Sequence, residues 1–252
     1  MSHIPVPPDL STSLTDFPRA TLETLRLGWQ FRRVLKEVPK GQGQPVICVS
    51  GYGAGDLSML PLREFLRQAG YNPLPASIGL NRETKEERIR SIDDATAFRK
   101  KMGALLAERV EEVAKRERQK VALIGWSMGG LFAFDVSQHI PDKVSMVITL
   151  GSPFGDPRGT ATFHLFRWLN GSKVPLEQQD FAGWMERAEV RSHDVPVKVI
   201  YSRQDGIVAE GAALLAAHPA VEHVETKSSH VGFAVNPAVY AAIGRLLPQL
   251  RQ

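Results

Sequence analysis

Short runs of aliphatic and β-branched residues alternate along the chain with longer stretches in which apolar positions recur at helical spacing. The short runs are apolar almost throughout, which is typical of strands that are covered on both faces of a sheet. Strands that alternate with helices in this way predict an α/β fold, with a mostly parallel central sheet and helices on both faces. The predicted strands are residues 46–50, 71–78, 121–124, 144–150, 195–202 and 221–226.

The longer stretches predict the helices. Prolines in the run at 71–78 indicate an edge or irregular strand, because proline has no N–H to give to a sheet. The proline-rich residues 1–16 show no periodic pattern, and we expect them to form a flexible lead. The predicted helices are residues 18–38, 60–66, 92–118, 206–217 and 237–250, together with one that ends near residue 139.

The predicted helix at 18–38 is both amphipathic and basic. Between residues 17 and 40 there are six lysines and arginines against two glutamates, so this segment alone accounts for the formal net charge of +4. One interpretation is a helix that lies on an anionic membrane, and the other is a helix that packs its apolar face on the rest of the protein. We divide the chain into this N-terminal part, residues 1–40, and an α/β domain at 41–252.

The rest of the composition excludes several classes of protein. Outside the basic helix the chain is close to neutral and shows no basic stripe interleaved with aromatic residues, so a nucleic-acid partner is not expected. The single cysteine, Cys48, excludes a disulfide framework and a cysteine-rich metal site. The first residues lack the basic and apolar parts of a signal peptide, and no apolar run approaches the roughly 18 residues of a membrane span. The expected location is therefore the cytoplasm.

Residues 152–194 interrupt the alternation of strands and helices. The segment holds six of the chain's nineteen aromatic residues and is too long for a simple loop, so we expect two short helices near 161–169 and 176–189. Its aromatics either pack among themselves in a small subdomain or cover an apolar substrate as a small helical cap, and the two roles are compatible. The residues expected to contact substrate are Phe154, Phe166, Trp168 and Trp184.

The strand at 121–124 leads into the sequence Gly125-Trp126-Ser127-Met128-Gly129 and then into a helical pattern. A serine in the pattern G-x-S-x-G between a strand and a helix is typical of the nucleophile elbow, a tight turn that holds the serine hydroxyl above the end of the sheet. The pattern is common by itself, and its position between a strand and a helix is what makes Ser127 the candidate nucleophile.

A serine hydroxyl becomes a useful nucleophile only beside a base, and the base needs a carboxylate to orient it. Functional residues on parallel sheets lie just past the carboxyl ends of strands. Asp205 follows the strand that ends at residue 202, and His230 follows the strand that ends at residue 226. We therefore expect Ser127, His230 and Asp205 to form a catalytic triad, with His230 as the base and Asp205 as the acid.

The tetrahedral intermediate of such a reaction needs two backbone N–H groups that face its oxyanion. One should come from Met128, the residue after the nucleophile, and the other from Tyr52 in the glycine-rich loop after the first strand. The same loop could suggest a dinucleotide site, but Asp56 stands where the third glycine of G-x-G-x-x-G should fall, and no acidic residue follows at the distance that a ribose requires. We expect no cofactor and no metal.

Five short motifs carry a family resemblance: Gly125-Trp-Ser-Met-Gly-Gly130, Ile148-Thr-Leu-Gly-Ser-Pro-Phe154, Tyr201-Ser-Arg-Gln-Asp-Gly-Ile-Val208, Ser229-His-Val-Gly-Phe233 and Asn236-Pro237. Through them residues 40–250 resemble the α/β-hydrolase superfamily, and within it the bacterial lipase- and esterase-like serine hydrolases. The resemblance implies Ser127 as nucleophile, Asp205 as acid and His230 as base, without metal or cofactor. The chain departs from the superfamily in having Ser50-Gly51 where His-Gly is frequent.

The function that we expect is hydrolysis of a small apolar carboxylic ester through an acyl-enzyme intermediate. Thioester cleavage, amide cleavage or transfer of the acyl group to another alcohol would use the same three residues. A non-catalytic binding or scaffold protein on the same fold is an alternative of a different class, and the complete set of Ser127, Asp205 and His230 argues against it. A peripheral membrane contact through the N-terminal helix is also open.

Overall fold

A parallel sheet forms the centre of the protein. A computed structural model describes residues 5–84, 87–163, 174–190 and 194–249. Within these ranges the strands form one six-stranded sheet in which all neighbouring strands are parallel, as predicted. The strands are β1 (Pro45–Val49), β2 (Asn72–Pro75), β3 (Val121–Trp126), β4 (Val144–Leu150), β5 (Val197–Tyr201) and β6 (Val221–Glu225). Their order across the sheet is β2-β1-β3-β4-β5-β6.

Helices connect the strands and cover the sheet. The α-helices in the described ranges are α1 (Leu10–Leu14), α2 (Asp16–Glu37), α3 (Leu60–Gln68), α4 (Ile92–Glu117), α5 (Met128–His139), α6 (Phe181–Glu186), α7 (Glu210–Ala213) and α8 (Pro237–Leu246). Short 3-10 turns lie at Asp56–Met59, Pro157–Gly159, Leu176–Gln178, Val231–Ala234 and Leu247–Gln249.

The two faces of the sheet bury two hydrophobic cores, because successive side chains of a strand point to opposite faces. Ile47 and Val49 of β1 belong to the core beneath α4 and α5, whereas Val46 and Cys48 belong to the core beneath α2, α3 and α8. Strands β1, β3 and β4 are almost wholly buried, which explains their continuous apolar sequences. The predicted helices on both faces are therefore confirmed.

β2 lies at one edge of the sheet, where its neighbour among the described strands is β1 alone. The edge position that its prolines predict is confirmed. Pro73 and Pro75 have no N–H to give to a second neighbour, so an edge is the place where the sheet tolerates them.

The helix predicted at 206–217 is wrong in extent, because helical structure there is confined to α7. Val208 instead forms an antiparallel bridge with Thr160, and the carbonyl oxygen of Ile207 accepts the N–H of Ala161 at 2.8 Å, so this part of the backbone pairs with another segment and begins no helix. The last predicted helix also ends earlier than expected, at Leu246, where a 3-10 turn replaces it.

The N-terminal lead is more ordered than the sequence predicts. Helix α1 lies within it, and Asp9 caps this helix by accepting the N–H of Thr12 at 2.8 Å. The hydroxyl of Ser13 donates to the carbonyl oxygen of Gly206 at 2.7 Å. The prediction of a flexible lead is therefore wrong for this part, since contacts with a distant loop hold it in place.

α2 packs on the domain through one face and leaves another face exposed. It lies against the 3-10 turn Val231–Ala234 and α8, with Leu27 and Val34 in the shared core. On its outward side Leu25 and Trp29 are 67% and 85% exposed. The packing interpretation of this helix describes its inner face only, and the outer face is apolar as well.

The described part of the aromatic insertion covers the edge of the core beneath α4 and α5. Phe163, Phe181 and Trp184 are buried in that core. Of the two short helices predicted in the insertion, the second is present as α6, whereas most of the first lies outside the described residues. Among the helices that the structure describes, none is both long enough and apolar enough to cross a bilayer.

Candidate active site

Ser127 occupies a tight turn between β3 and α5. β3 ends at Trp126 and α5 begins at Met128, so the serine is the single residue between strand and helix. Its φ of +53° and ψ of −125° lie in a region that residues with a Cβ rarely adopt, and strain of this kind is concentrated at functional sites. The strand-to-helix context that marks Ser127 in the sequence is therefore present in the fold.

Gly125 and Gly129 flank this turn because neither position has room for a side chain. A Cβ on Gly125 would collide with the backbone of Gly129 and Gly130. A Cβ on Gly129 would collide with the carbonyl oxygens of Val49 and Ser50. The glycines of the motif thus allow strand β3, helix α5 and the loop after β1 to approach one another closely.

His230 joins Ser127 to Asp205. Its Nε2 lies 2.9 Å from Ser127 Oγ, and its Nδ1 lies 2.8 Å from Asp205 Oδ2. Both are hydrogen-bond distances. His230 and Asp205 are 5% and 3% exposed, so water competes little for these contacts. The structure brings the three residues together in one hydrogen-bonded chain.

The carboxylate of Asp205 is oriented by its own loop. Oδ1 accepts the N–H groups of Ile207 and Val208, which leaves Oδ2 for the imidazole. Burial disfavours the charged form of His230, but the charge and the hydrogen bond of Asp205, together with the charge of Asp16, outweigh it, and the pKa of His230 is raised above its ordinary value of 6.5. The site therefore favours the imidazolium, the form that arises when His230 takes a proton.

Two buried acidic side chains of α2 lie behind the loop that carries His230. Asp16 accepts the N–H groups of His230 and Val231 at 2.7 and 3.0 Å. Glu23 accepts the N–H and the hydroxyl of Ser229 at 2.9 and 2.8 Å. No sequence pattern distinguishes Asp16 from an ordinary acidic residue in the first turn of a helix. The position of Glu23 could have indicated a buried role, since it lies on the inner face of α2, where an apolar residue is expected.

The glycine-rich loop after β1 passes beside the nucleophile. A Cβ on Gly51 would lie 3.2 Å from Ser127 Cβ. The N–H of Gly53 donates to the carbonyl oxygen of Asn81 at 2.6 Å, and the side chain of Asn81 donates to the carbonyl oxygen of Ser50 at 2.8 Å. Asn81 comes from a charged stretch that suggests no role in the sequence, yet it holds this loop next to Ser127.

A cavity of about 400 Å³ opens beside Ser127 and His230. Tyr52 and Met128, which the sequence predicts as oxyanion donors, both line it. This volume falls within the range of small-molecule sites, which are mostly apolar with a few polar groups at the reacting end. The apolar wall includes Ile92, Ala95, Phe163, Trp184, Ile207 and Val208.

The four residues predicted to contact substrate have different positions. Trp184 lines the cavity, and its ring packs against the guanidinium of Arg99 at 5.1 Å. Phe154 lies in the core instead, fully buried, with its ring 5.4 Å from that of Phe134. Phe166 and Trp168 lie outside the described residues. In the part of the chain that the structure covers, no group of three or more His, Cys, Asp or Glu side chains is placed to hold a metal ion.

Comparison of the sequence with known families gives one match over more than half of the chain. The model of the PGAP1-like alpha/beta domain matches residues 80–227, which is 148 of the 252 residues. A pimeloyl-[acyl-carrier protein] methyl ester esterase of Aliivibrio salmonicida (strain LFI1238) is 25% identical over 115 residues. The alignment covers 45% of this chain and 38% of that enzyme, so it spans well under half of the relative's length.

Comparison of the fold with solved structures gives many matches, and lipases are among them. The mature form of the lipase BlEst2 of Bacillus licheniformis has a TM-score of 0.58 at 17% identity, over 85% of this chain and 94% of that one. A monoacylglycerol lipase of Paleococcus ferrophilus has a TM-score of 0.52 at 17% identity, over 82% and 95%. At these identities the likeness concerns the fold. The predicted α/β-hydrolase fold and the resemblance to esterase- and lipase-like proteins are confirmed.

Proposed function

We propose that this chain, which belongs to the PGAP1-like alpha/beta domain family, is a serine hydrolase that cleaves carboxylic esters. One observation carries the proposal: Asp205, His230 and Ser127 form a chain of hydrogen bonds, with distances of 2.8 and 2.9 Å. A hydroxyl, a base and an orienting carboxylate in this order are what acyl transfer to a serine requires. The strained φ of Ser127 gives independent support, because strained backbone conformations are concentrated at active sites and ligand-binding sites.

In the first half of the reaction Ser127 Oγ attacks the ester carbonyl carbon while its proton passes to His230 Nε2. Asp205 holds the proton on Nδ1 and stabilises the positive charge that develops on the ring. When the tetrahedral intermediate collapses, the bond to the leaving alcohol breaks and the imidazolium returns a proton to that alcohol. The products of this half are an alcohol and an acyl group on Ser127.

In the second half a water molecule replaces the alcohol. His230, again neutral, takes a proton from the water, and the resulting hydroxide attacks the acyl carbon. Collapse of the second tetrahedral intermediate breaks the bond to Ser127 Oγ, which recovers a proton from the imidazolium. The net reaction is ester plus water to acid plus alcohol, and the side chains return to their starting state.

We assign the oxyanion to the backbone N–H groups of Met128 and Tyr52. Met128 begins helix α5, where N–H groups point outward and the helix dipole favours negative charge. In the loop after β1, Tyr52 directly follows Gly51, where an added Cβ would lie 3.2 Å from Ser127 Cβ, and this closeness to the nucleophile favours Tyr52 as the donor from that loop. Tyr52 and Met128 both line the cavity with Ser127, which supports this assignment.

The apolar wall of the cavity supports an ester with an apolar acyl or alcohol part. Ile92, Phe163 and Trp184 supply aliphatic and aromatic surface close to the serine, and burial of such surface favours hydrocarbon over polar substrates. The names of similar proteins, a methyl ester esterase and lipases, also describe ester cleavage. The wall supports an apolar substituent, and the names of the similar proteins favour esters over thioesters and amides as substrates of Ser127.

A panel of p-nitrophenyl esters, thioesters and anilides tests the reaction class. We expect esters to be hydrolysed fastest, and Ser127→Ala to lower kcat by about 10³-fold or more, because the members of such a triad act as a unit. Ser58→Ala is the matched control and should retain full activity. A folded wild-type protein without Ser127-dependent hydrolysis of any of these compounds would leave the non-catalytic scaffold as the better interpretation.

The outward face of α2 is proposed to contact an anionic lipid surface. Phe17 is 68% exposed and also lines the cavity, so the exposed apolar residues of α2 begin beside the site. Leu25 and Trp29 lie further along the helix, the exposed cation Arg32 follows Trp29 by about one turn, and the exposed cation Lys36 follows it by about two. Apolar side chains beside cations are typical of helices that lie in the headgroup region. An apolar ester in a bilayer would then lie close to Ser127.

A further inference from the structure

Asp16, the first residue of α2, lies beneath both loops that complete the site. Its side chain is fully buried. Oδ1 accepts the N–H of His230 at 2.7 Å and that of Gly206, the residue after Asp205, at 3.0 Å. Oδ2 accepts the N–H of Val231 at 3.0 Å. One carboxylate therefore bonds to the backbone on both sides of the contact between acid and base.

We propose that Asp16 is a positioning residue for the reaction, which fixes the loops of Asp205 and His230 relative to each other and places a second negative charge behind the imidazole. This inference rests on the proposed hydrolysis at Ser127. Asp16 contacts neither Ser127 nor the cavity, so it acts through the position and the charge of His230.

The hydrogen-bond partners show that the task of Asp16 is more than docking a helix. Burial of a carboxylate is costly unless its oxygens accept hydrogen bonds, and an apolar residue would serve packing at lower cost. The three backbone donors all come from the loops of the site. The guanidinium of Arg19 is 3.4 Å from Oδ1 and 27% exposed, so water screens the ion pair between these two side chains.

The charges around His230 also favour this role. Burial disfavours its imidazolium, whereas the carboxylates of Asp205 and then Asp16 raise its pKa. Glu23 is a second buried carboxylate of the same helix, and it bonds to the neighbouring Ser229 instead. Asp16 and Glu23 therefore form a matched pair: both tie α2 to the same loop, and only Asp16 bonds to His230 itself.

The test compares Asp16→Asn with Glu23→Gln, each of which removes one charge and keeps the shape. Asp16 favours the imidazolium, so its loss should move the acidic limb of the kcat/KM profile to lower pH. At the plateau kcat should fall about tenfold, with KM unchanged, because substrate does not reach this residue. Glu23→Gln should leave the acidic limb in place. An unmoved limb in folded Asp16→Asn, or equal shifts in both variants, would overturn the proposal.

Asp16→Glu keeps the charge and displaces the carboxylate, so it tests the proposal even where Asp16→Asn does not fold. Because the charge behind the imidazole is kept, the acidic limb should stay at its wild-type pH, whereas kcat should fall several-fold because the longer side chain displaces the loops of Asp205 and His230. A folded Asp16→Glu with the kcat of the wild type would overturn the proposal as well. Absence of Ser127-dependent hydrolysis in the wild type would instead refute the proposed function, so the two failures are distinguishable.

Discussion

The indole N–H of Trp126 donates to the backbone carbonyl oxygen of His230 at 2.9 Å. The residue immediately before the nucleophile thus holds the backbone of the base, and their rings lie 6.0 Å apart. The two residues are 104 positions apart in the chain, so this bond joins the end of β3 directly to the loop after β6. It complements Asp16, which holds the same loop from the side of α2.

Trp126→Phe should lower kcat while the protein still folds. It removes the hydrogen bond and keeps most of the ring, so we expect a loss of about 1 kcal/mol in the free energy of unfolding and a fall in kcat of several-fold. Thermal unfolding and ester hydrolysis measure the two effects. Trp29→Phe, at an 85% exposed position, is the control and should change neither. Unchanged kcat in Trp126→Phe would show that the bond does not position His230.

The pH profile should reflect the raised pKa of His230. The base must be neutral to accept the proton of Ser127, so kcat/KM should rise as pH increases through the pKa of His230 in the free enzyme. Because Asp205 and Asp16 outweigh the effect of burial, this midpoint should lie above 6.5. Hydrolysis of a p-nitrophenyl ester from pH 5 to 9 measures it, with product absorbance corrected for pH. A midpoint below 6.5 would contradict the electrostatics of the site.

The elbow glycines should tolerate no side chain. In Gly129→Ala the new Cβ would collide with the carbonyl oxygens of Val49 and Ser50, so we expect destabilisation by about 3 kcal/mol and loss of activity. Gly28→Ala is the matched control, because Gly28 lies inside α2 with nothing within 4 Å of an added Cβ. It should stabilise the protein by up to about 1 kcal/mol. Denaturant unfolding of both variants measures the contrast, and equal stabilities would refute it.

Trp184 should influence which esters are accepted. Trp184→Ala removes an indole ring from the apolar wall and so enlarges the cavity. We therefore expect the preferred acyl chain on p-nitrophenyl esters to become longer. Phe154→Leu is the control, because Phe154 lies in the core and not in the cavity wall. It should cost some stability and leave the chain-length profile unchanged. Identical profiles in wild type and Trp184→Ala would remove Trp184 from the substrate-binding residues.

Vesicle binding tests the proposed lipid contact of α2. The full-length protein should co-sediment with phosphatidylserine-containing vesicles, and the double variant Leu25→Ser, Trp29→Ser should bind more weakly. Hydrolysis of a water-soluble short-chain ester should be unchanged, since neither residue lines the cavity. Equal co-sedimentation of wild type and variant would refute the contact. Binding that is equal on purely zwitterionic vesicles would refute the role of Arg32 and Lys36.

The parts of the fold that follow local rules are predictable from the sequence. Strands buried on both faces appear as apolar runs, and their alternation with helices implies the parallel sheet. Ser127, Asp205 and His230 each lie within five residues past the end of a strand, so their meeting at one end of the sheet could be anticipated. The insertion is less predictable, because the local sequence does not show whether Phe154 or Trp184 faces the cavity, and packing decides it.

The contacts of the N-terminal helix could not be predicted in this way. Asp16 bonds to His230 across 214 positions of the chain, and Glu23 bonds to Ser229 across 206. No local pattern specifies a partner at that distance, and a buried carboxylate resembles a surface one in the sequence. Asn81 is a similar case, since its contact with Ser50 depends on the path of a loop.

Reaction with an alkyl fluorophosphonate, with the adduct located by peptide mass spectrometry, tests most directly whether Ser127 is the nucleophile. We expect a single adduct on Ser127, absent in Ser127→Ala, formed much more slowly in His230→Ala, and unchanged in Ser58→Ala. Absence of an adduct on Ser127 in the folded wild-type protein would contradict the proposed serine hydrolase. Equal labelling of the wild type and the Ser127→Ala variant would contradict it as well.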